Sequence, residues 1–275
     1  MNQLAILIVV AVPFGATMYA LASLWGSMMS WTTFALFVSF FFATGLGITV
    51  GFHRMATHSA FDAPPIVKGL ILIFGCMAVQ GAPVSWAAIH SKHHVLSDTE
   101  DDPHSPIHGF WHAHVGWLFT TRRAEPEKYA RTLLNDKVTM WVSRTSFWWA
   151  LLGLLIPYFI GGWEGFLWGS LVRVFLIHHV TWSVNSICHM FGRRPFETGR
   201  DLSRNNWIVG IFAMGEGWHN NHHAFPKSAL HGLTWKQPDL SGQVIRALGW
   251  LHLAHDITIV PPQAIETRKL LRRAA

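Results

Sequence analysis

Residues 31–58 read WTTFALFVSFFFATGLGITVGFHRMATH, an apolar run of bilayer length that ends on two histidines, His53 and His58. A helix needs roughly 20 apolar residues to cross the hydrocarbon core. The stretch from Trp31 to Val50 supplies them without a single charge. Upstream, residues 4–24 (LAILIVVAVPFGATMYALASL) form a second such run, interrupted by Pro13. This run is too long for the apolar core of a secretory signal and has no basic start, so it reads as a span of the mature chain. Only Trp25 to Ser30, an uncharged linker, separate the two runs, and an antiparallel hairpin is expected.

Composition agrees with that reading. Of 275 residues, 51% are hydrophobic, 13% are charged and fifteen are tryptophan, far too apolar for an ordinary soluble domain. The formal charge of +6 would also suit a nucleic-acid binder. That class shows a basic stripe on a soluble fold, and none is visible, so no nucleic-acid partner is expected. Cys76 and Cys188 lie in apolar surroundings without CxxC pairing, which supports neither a disulfide framework nor a thiolate metal site.

A second hairpin is expected over residues 146–160 and 163–183, with Gly161 and Gly162 at its tip and Glu164 beside them. Cationic loops stay on the cytoplasmic side of a membrane. Neither hairpin tip holds any of the 21 Lys and Arg residues, and all but Arg173 lie between the hairpins or in the C-terminal part, among the histidines. Both termini and the histidine clusters are therefore expected to be cytoplasmic. Residues 66–79 are apolar but short, and a crossing there would put the first two clusters on opposite sides. They read as an interfacial or re-entrant helix. The expected architecture is an all-α integral membrane protein with one domain over residues 1–275. It has four transmembrane helices in two hairpins (4–24, 31–50, 146–160, 163–183) and a cytoplasmic helical cap from 84–145 and 190–275.

Eight histidines fall in three clusters: His53 and His58; His90, His93 and His94; His219, His222 and His223. Imidazole is the commonest nitrogen ligand for transition metals, and no single ion takes eight, so the count points to two ions held close together. On a helix, positions i, i+3 and i+4 share a face, while adjacent residues diverge by about 100°. His93 and His94 can thus serve different ions from one segment. The same holds for His222 and His223, in a short piece bounded by Gly215, Gly217 and Pro226. His53 and His58, five apart, do not align on a regular helix; either the end of the second span deforms or ligands come from elsewhere. His108, His112, His252 and His255 are isolated, and an isolated histidine is more often a packed residue than a ligand.

The order HxxxxH, HxxHH, HxxHH resembles the membrane fatty acyl desaturases. So do the acidic stretch Asp98 to His104, His114-Val-Gly-Trp117, Asn185-Ser-Ile-Cys-His189 and the Gly-Glu-Gly-Trp that precedes His219. The likeness spans roughly Gly51 to Pro226, and the chain is similar to the acyl-CoA delta-9 (stearoyl-CoA desaturase-like) branch and to bacterial acyl-lipid desaturases. It implies a non-haem centre of two irons with nine histidine ligands, His53, His58, His90, His93, His94, His189, His219, His222 and His223, and O2 as co-substrate. Asn185 would hold an iron-bound water. The implied reaction places a cis double bond, delta-9 by family precedent, in an acyl-CoA or acyl-lipid chain that enters a bent apolar tunnel.

Asp102 and Glu216 match acidic positions of the family, suited to accepting the second N–H of ligand imidazoles. For Asp98, Glu100 and Asp101, a solvated charge run is the better description. Arg122 and Arg123 fall where the acyl-CoA branch has basic residues near its phosphate-bearing headgroup, and they equally suit anionic lipid. No stretch reads as a cytochrome b5, flavin or iron–sulfur module, so the expected electron donor is separate, a ferredoxin, cytochrome b5 or similar. His179, where animal enzymes commonly carry a non-ligand residue, favours a bacterial inner-membrane enzyme. Two other classes stay open. A related di-iron hydroxylase would use much the same histidines. A metal transporter would place ionisable groups along its spans, where only His178, His179 and Arg173 qualify.

Overall fold

The computed structural model describes residues 3–23, 29–120 and 124–274, and its regular elements are all helical. Most of the linker between the first two spans, and both Arg122 and Arg123, lie outside the described residues. Helix α1 covers Gln3–Ser23 and runs through Pro13 without a break, with Leu4, Leu7, Ile8, Val12 and Phe14 exposed. Outward apolar side chains along a whole helix are what a lipid-facing surface requires. Helix α2, Trp31–Leu46, starts at Ser30, whose hydroxyl accepts from the Thr33 N–H. Its path then widens into a π-helix over Gly47–Thr57.

Helix α3, Pro65–Cys76, falls on the expected interfacial segment. Its 12 residues reach about 18 Å, well short of the roughly 30 Å hydrocarbon core. One side exposes Ile66, Leu70 and Phe74, and the helix packs on the π-helix, α2 and the later span. That packing is close: a Cβ added at Gly47 would fall 2.1 Å from the backbone nitrogen of Gly75. The polypeptide continues through α4, Pro83–Leu96, then α5, Phe110–His114, and α6, Pro126–Tyr129.

Helix α7, Lys137–Gly165, begins earlier than expected because Asp136 caps it by accepting from the Thr139 N–H. At Gly162 the backbone takes φ 59°, ψ −146°, a conformation essentially reserved for glycine. The chain reverses there, passes through a π stretch at Phe166–Val172 and returns as α8, Arg173–Met190. The arms are tied by Ser170 Oγ donating to Leu154 O at 2.6 Å and Arg173 Nη2 donating to Gly153 O at 2.8 Å. The second hairpin thus turns at the glycines expected to turn it. Three stretches are long and apolar enough to cross a membrane, Gln3–Ser23, Trp31–Thr57 and Lys137–Met190, the last being this folded-back pair.

Thr33 Oγ1 lies 3.4 Å from Glu164 Oε2, so the start of α2 and the second hairpin tip share one end of the bundle. The histidines sit at the other. Arg173, at the start of α8, is fully buried, and its remaining nitrogens donate to the carbonyls of Gly169 and Met77. His178 reaches Ala78 O at 2.9 Å. These two side chains satisfy carbonyls where α3 ends, as any interior without water demands. Bound to the backbone in this way, both tie α8 to the end of α3. The C-terminal part adds α9, Trp207–Phe212; α10, His219–Ala224; α11, Leu240–Trp250; and α12, Pro262–Ala274.

Candidate metal centre

The π-helix resolves the misfit between His53 and His58. In an i→i+5 helix, residues five apart lie one above the other. The His58 N–H donates to His53 O at 3.1 Å, and the two rings stand 4.8 Å apart between centroids. The anticipated deformation at the end of the second span is this change of helical register.

The nine expected histidines form two groups. His53, His58, His90, His94 and His222 make one, His93, His189, His219 and His223 the other, and within each group the ligand atoms lie within 4.8 Å of one another. Neighbours in sequence divide between groups: His94 from His93, His222 from His223. Four ring nitrogens turned away from the centre meet carboxylates: His53 Nδ1 to Glu216 (2.5 Å), His93 Nδ1 to Asp102 (2.9 Å), His189 Nδ1 to Asp98 (3.0 Å) and His223 Nδ1 to Asp201 (2.7 Å). A carboxylate on Nδ1 fixes the tautomer and leaves the Nε2 lone pair pointing inward.

Those inward nitrogens crowd each other. His53 and His222 Nε2 are 3.1 Å apart, His222 and His94 2.9 Å, and His219 and His189 2.9 Å. His58 Nε2 and His93 Nε2 are buried with no partner. Facing lone pairs repel unless a proton or a cation stands between them, so the donor set fits metal ions. Burial, reinforced by neighbouring imidazoles, holds His90, His94, His219, His222 and His223 well below the ordinary histidine range, the neutral state a ligand requires. Burial would also lower His93, but Asp102 outweighs it and His93 is raised.

Glu216 anchors the first group. Burial alone would raise its carboxyl, yet His53, His231 and Arg54 bring it well below the usual range. Arg54, fully buried, donates to Glu216 Oε1 at 2.9 Å and to Asp239 Oδ2 at 2.9 Å. Asp98, expected as part of a solvated run, has a side chain only 1% exposed and contacts His189 with both oxygens. Its backbone there takes φ 59°, in the left-handed region. Glu100 and Asp101 stay at the surface. Asp201, Arg54 and Asp239 carried no local sequence signal; only their long-range contacts reveal them. His108, His112, His252 and His255 belong to neither histidine group.

Two apolar cavities meet beside His90 of the five-histidine group, and the second also reaches His53 and, from the four-histidine group, His219. One of about 110 Å³ runs from Ile6, Val9 and Val10 of α1 past Trp117 and His178; another of about 50 Å³ runs from Gly45 and Ile48 towards Phe212 and Met214. Trp86, His90, Thr181 and Asn185 line both. Across their junction Trp86 Nε1 donates to Gln80 Oε1 at 3.2 Å, and Gln80 Nε2 donates to Thr181 Oγ1 at 2.9 Å. Asn185, half-buried on α8, stands at this junction.

Residues 29–241 match the family model of fatty acid desaturases. A hex-5-enoyl-[acyl-carrier protein] acetylenase of Moorena producens is 39% identical over 94% of this chain and 87% of its own length. An acyl-CoA C20 Delta5-desaturase of Anemone leveillei is 40% identical over 89% and 79%, and an sn-1 stearoyl-lipid 9-desaturase of Anabaena variabilis 39% over 85% and 86%. The chain belongs to the fatty acid desaturase family. It is an oxidoreductase of lipid metabolism, and fatty acyl chains are its class of substrate.

Proposed function

We propose that this desaturase places a cis double bond, at the delta-9 position, in a fatty acyl chain, using two irons and O2. The observation that carries the reading is that His53 and His90 of one group and His219 of the other line apolar cavities that join beside His90, so donors of both groups face a hydrocarbon path. One iron is assigned to the five-histidine group and the other to the four-histidine group, with Asn185 holding a water between metal and cavity. When bound, the iron pair supplies an oxidant strong enough to take hydrogen from an unactivated methylene. The protein's own residues do the positioning. Glu216, Asp102, Asp98 and Asp201 hold the imidazole tautomers, and the Trp86–Gln80–Thr181 chain narrows the path beside His90. Fixing one carbon–carbon pair of a flexible chain in reach of the oxidant is worth roughly 7 to 11 kcal/mol.

The regiochemistry draws support from the relative named for position 9, although others are named for position 5 or for an acetylenic product. The carrier is acyl-CoA or acyl-lipid, with Arg122 and Arg123 meeting its phosphate-bearing headgroup. We further propose four crossings, with α7 and α8 each crossing once, an active site and termini on the cytoplasmic side of a bacterial inner membrane, and a separate ferredoxin or cytochrome b5 as donor. Lipids of an expressing host, resolved by gas chromatography and mass spectrometry after double-bond derivatisation, test the reading. A new delta-9 cis-monoenoic acid is expected. A hydroxy acid would replace it with the hydroxylase reading, and a double bond elsewhere would overturn the position alone.

A further inference from the structure

Two buried histidines outside the nine, His104 and His231, occupy matching places. His231 Nδ1 lies 3.4 Å from Glu216 Oε2, the oxygen that accepts from His53, and His104 Nδ1 lies 3.7 Å from Asp102, the partner of His93. Each also lays its ring over a ring of the same group. His231 faces His222 at 4.5 Å and 35°, and His104 faces His93 at 4.3 Å and 37°. Their exposures are 1% and 3%. His104 Nδ1 and both ring nitrogens of His231 have no hydrogen-bond partner, and the two carboxylate contacts are too long to count as such bonds. An apolar ring would fill either space without burying unsatisfied nitrogen. What an imidazole adds is a nitrogen beside a carboxylate that already steers a donor histidine.

We infer that His231 and His104 are positioning residues, one for each group: His231 for the five-histidine group through Glu216 and the face of His222, His104 for the four-histidine group through Asp102 and the face of His93. This rests on the metal-centre reading above. A donor imidazole stays on its ion only while rotation about its side-chain bonds is blocked. At the four-histidine group both restraints meet on one ring, His93, with Asp102 on its Nδ1 and His104 against its face; at the five-histidine group they are divided, Glu216 holding His53 and the His231 ring lying against His222. The two histidines come from separate segments, the loop after α4 and the loop after α10, so the two clamps act independently.

The test is iron retention. Full-length protein in detergent, loaded anaerobically with iron(II), is challenged with an excess of a chromogenic iron(II) chelator. Wild type is expected to release two equivalents slowly. His231→Ala and His104→Ala should each release about one equivalent some 10- to 100-fold faster, the usual penalty for losing such an outer partner, and the other at the wild-type rate. His231→Gln and His104→Gln, which return a donor, should move release back towards wild type. His231→Phe and His104→Phe keep the ring volume where the alanine variants fail to fold, and they too should shed one equivalent faster. Wild-type release in the Phe variants, or equal acceleration of both equivalents in either single variant, would overturn the inference. Wild-type protein that cannot hold two equivalents would sink the metal-centre reading itself, and this inference with it.

Discussion

At the residue scale, each histidine group is a set of donors held in place by charges from distant parts of the chain. His93→Ala removes one of four donors and His222→Ala one of five. Both are expected to abolish product and take bound iron below two per chain, while His252→Ala, in an exposed loop, should do neither. Product analysis beside metal analysis reads both effects, and full activity of His93→Ala would refute the proposed centre. Asn185→Ala should slow turnover with less iron lost than in any ligand variant; equal loss would make the residue structural. Arg54→Ala leaves Glu216 and Asp239 buried without their cation and should cost about 3–5 kcal/mol, seen as a large drop in the melting temperature of metal-free protein. Spacing alone divided His93 from His94, because neighbours on a helix diverge. It could not supply Asp98 for His189, 91 positions away, nor Asp201, Arg54, His104 and His231, whose roles exist only once distant segments touch.

At the element scale, the π-helix decides whether the first cluster works. An α-helical reading of residues 47–57 left His53 and His58 on different faces, and the sequence marked the misfit without saying how it is relieved. The relief is an extra residue per turn where Gly47 lets the helix lie against Gly75. A leucine at Gly47 would drive its Cβ into the Gly75 backbone and is expected to cost about 1–3 kcal/mol or more, with lower iron content measured alongside the melting temperature. A stable Gly47→Leu variant with full iron would show that the close approach is dispensable. The hairpin at Gly162, by contrast, was legible, because two glycines between apolar runs are a local signal. The reach of α7 back to Lys137 was not, since it depends on the Asp136 cap and on burial of Thr139 and Val142.

At the scale of the whole molecule, the centre couples folding to pH. Five imidazoles outside the spans have folded pKa values depressed well below 6.5. Groups depressed on folding bind more protons when unfolded, so their contribution is present above the unfolded value and is lost as pH falls below it. His93 is raised and acts in the opposite sense, with its contribution full below 6.5 and lost as pH rises, but the depressed imidazoles, His104 and His231 among them, outnumber it. Asp102, Glu216 and Asp239, all depressed, withdraw their share further down, below the ordinary carboxylate range near 4. The melting temperature of metal-free protein should therefore fall steadily from pH 7.5 to 5.5, and iron-loaded protein should shed metal over the same interval because protons compete for the same nitrogens. A flat profile would contradict the burial of neutral imidazoles. Composition and charge placement revealed an apolar bundle with a polar, histidine-bearing end; the cavities and their junction needed three dimensions.

Arg54 sits early in the chain and closes on Glu216 and Asp239, while each histidine group draws members from both sides of the second hairpin. A nascent chain emitted only as far as His189 holds, of the nine, three on α4, His53 on the π-helix, His58 just after it and His189 on α8, yet neither group is complete. Neither donor set can therefore be completed until synthesis has passed residues 222 and 223, and the Arg54 clamp shuts fully only after residue 239. Completion of the centre, unlike formation of the first two helices, belongs to the late part of synthesis.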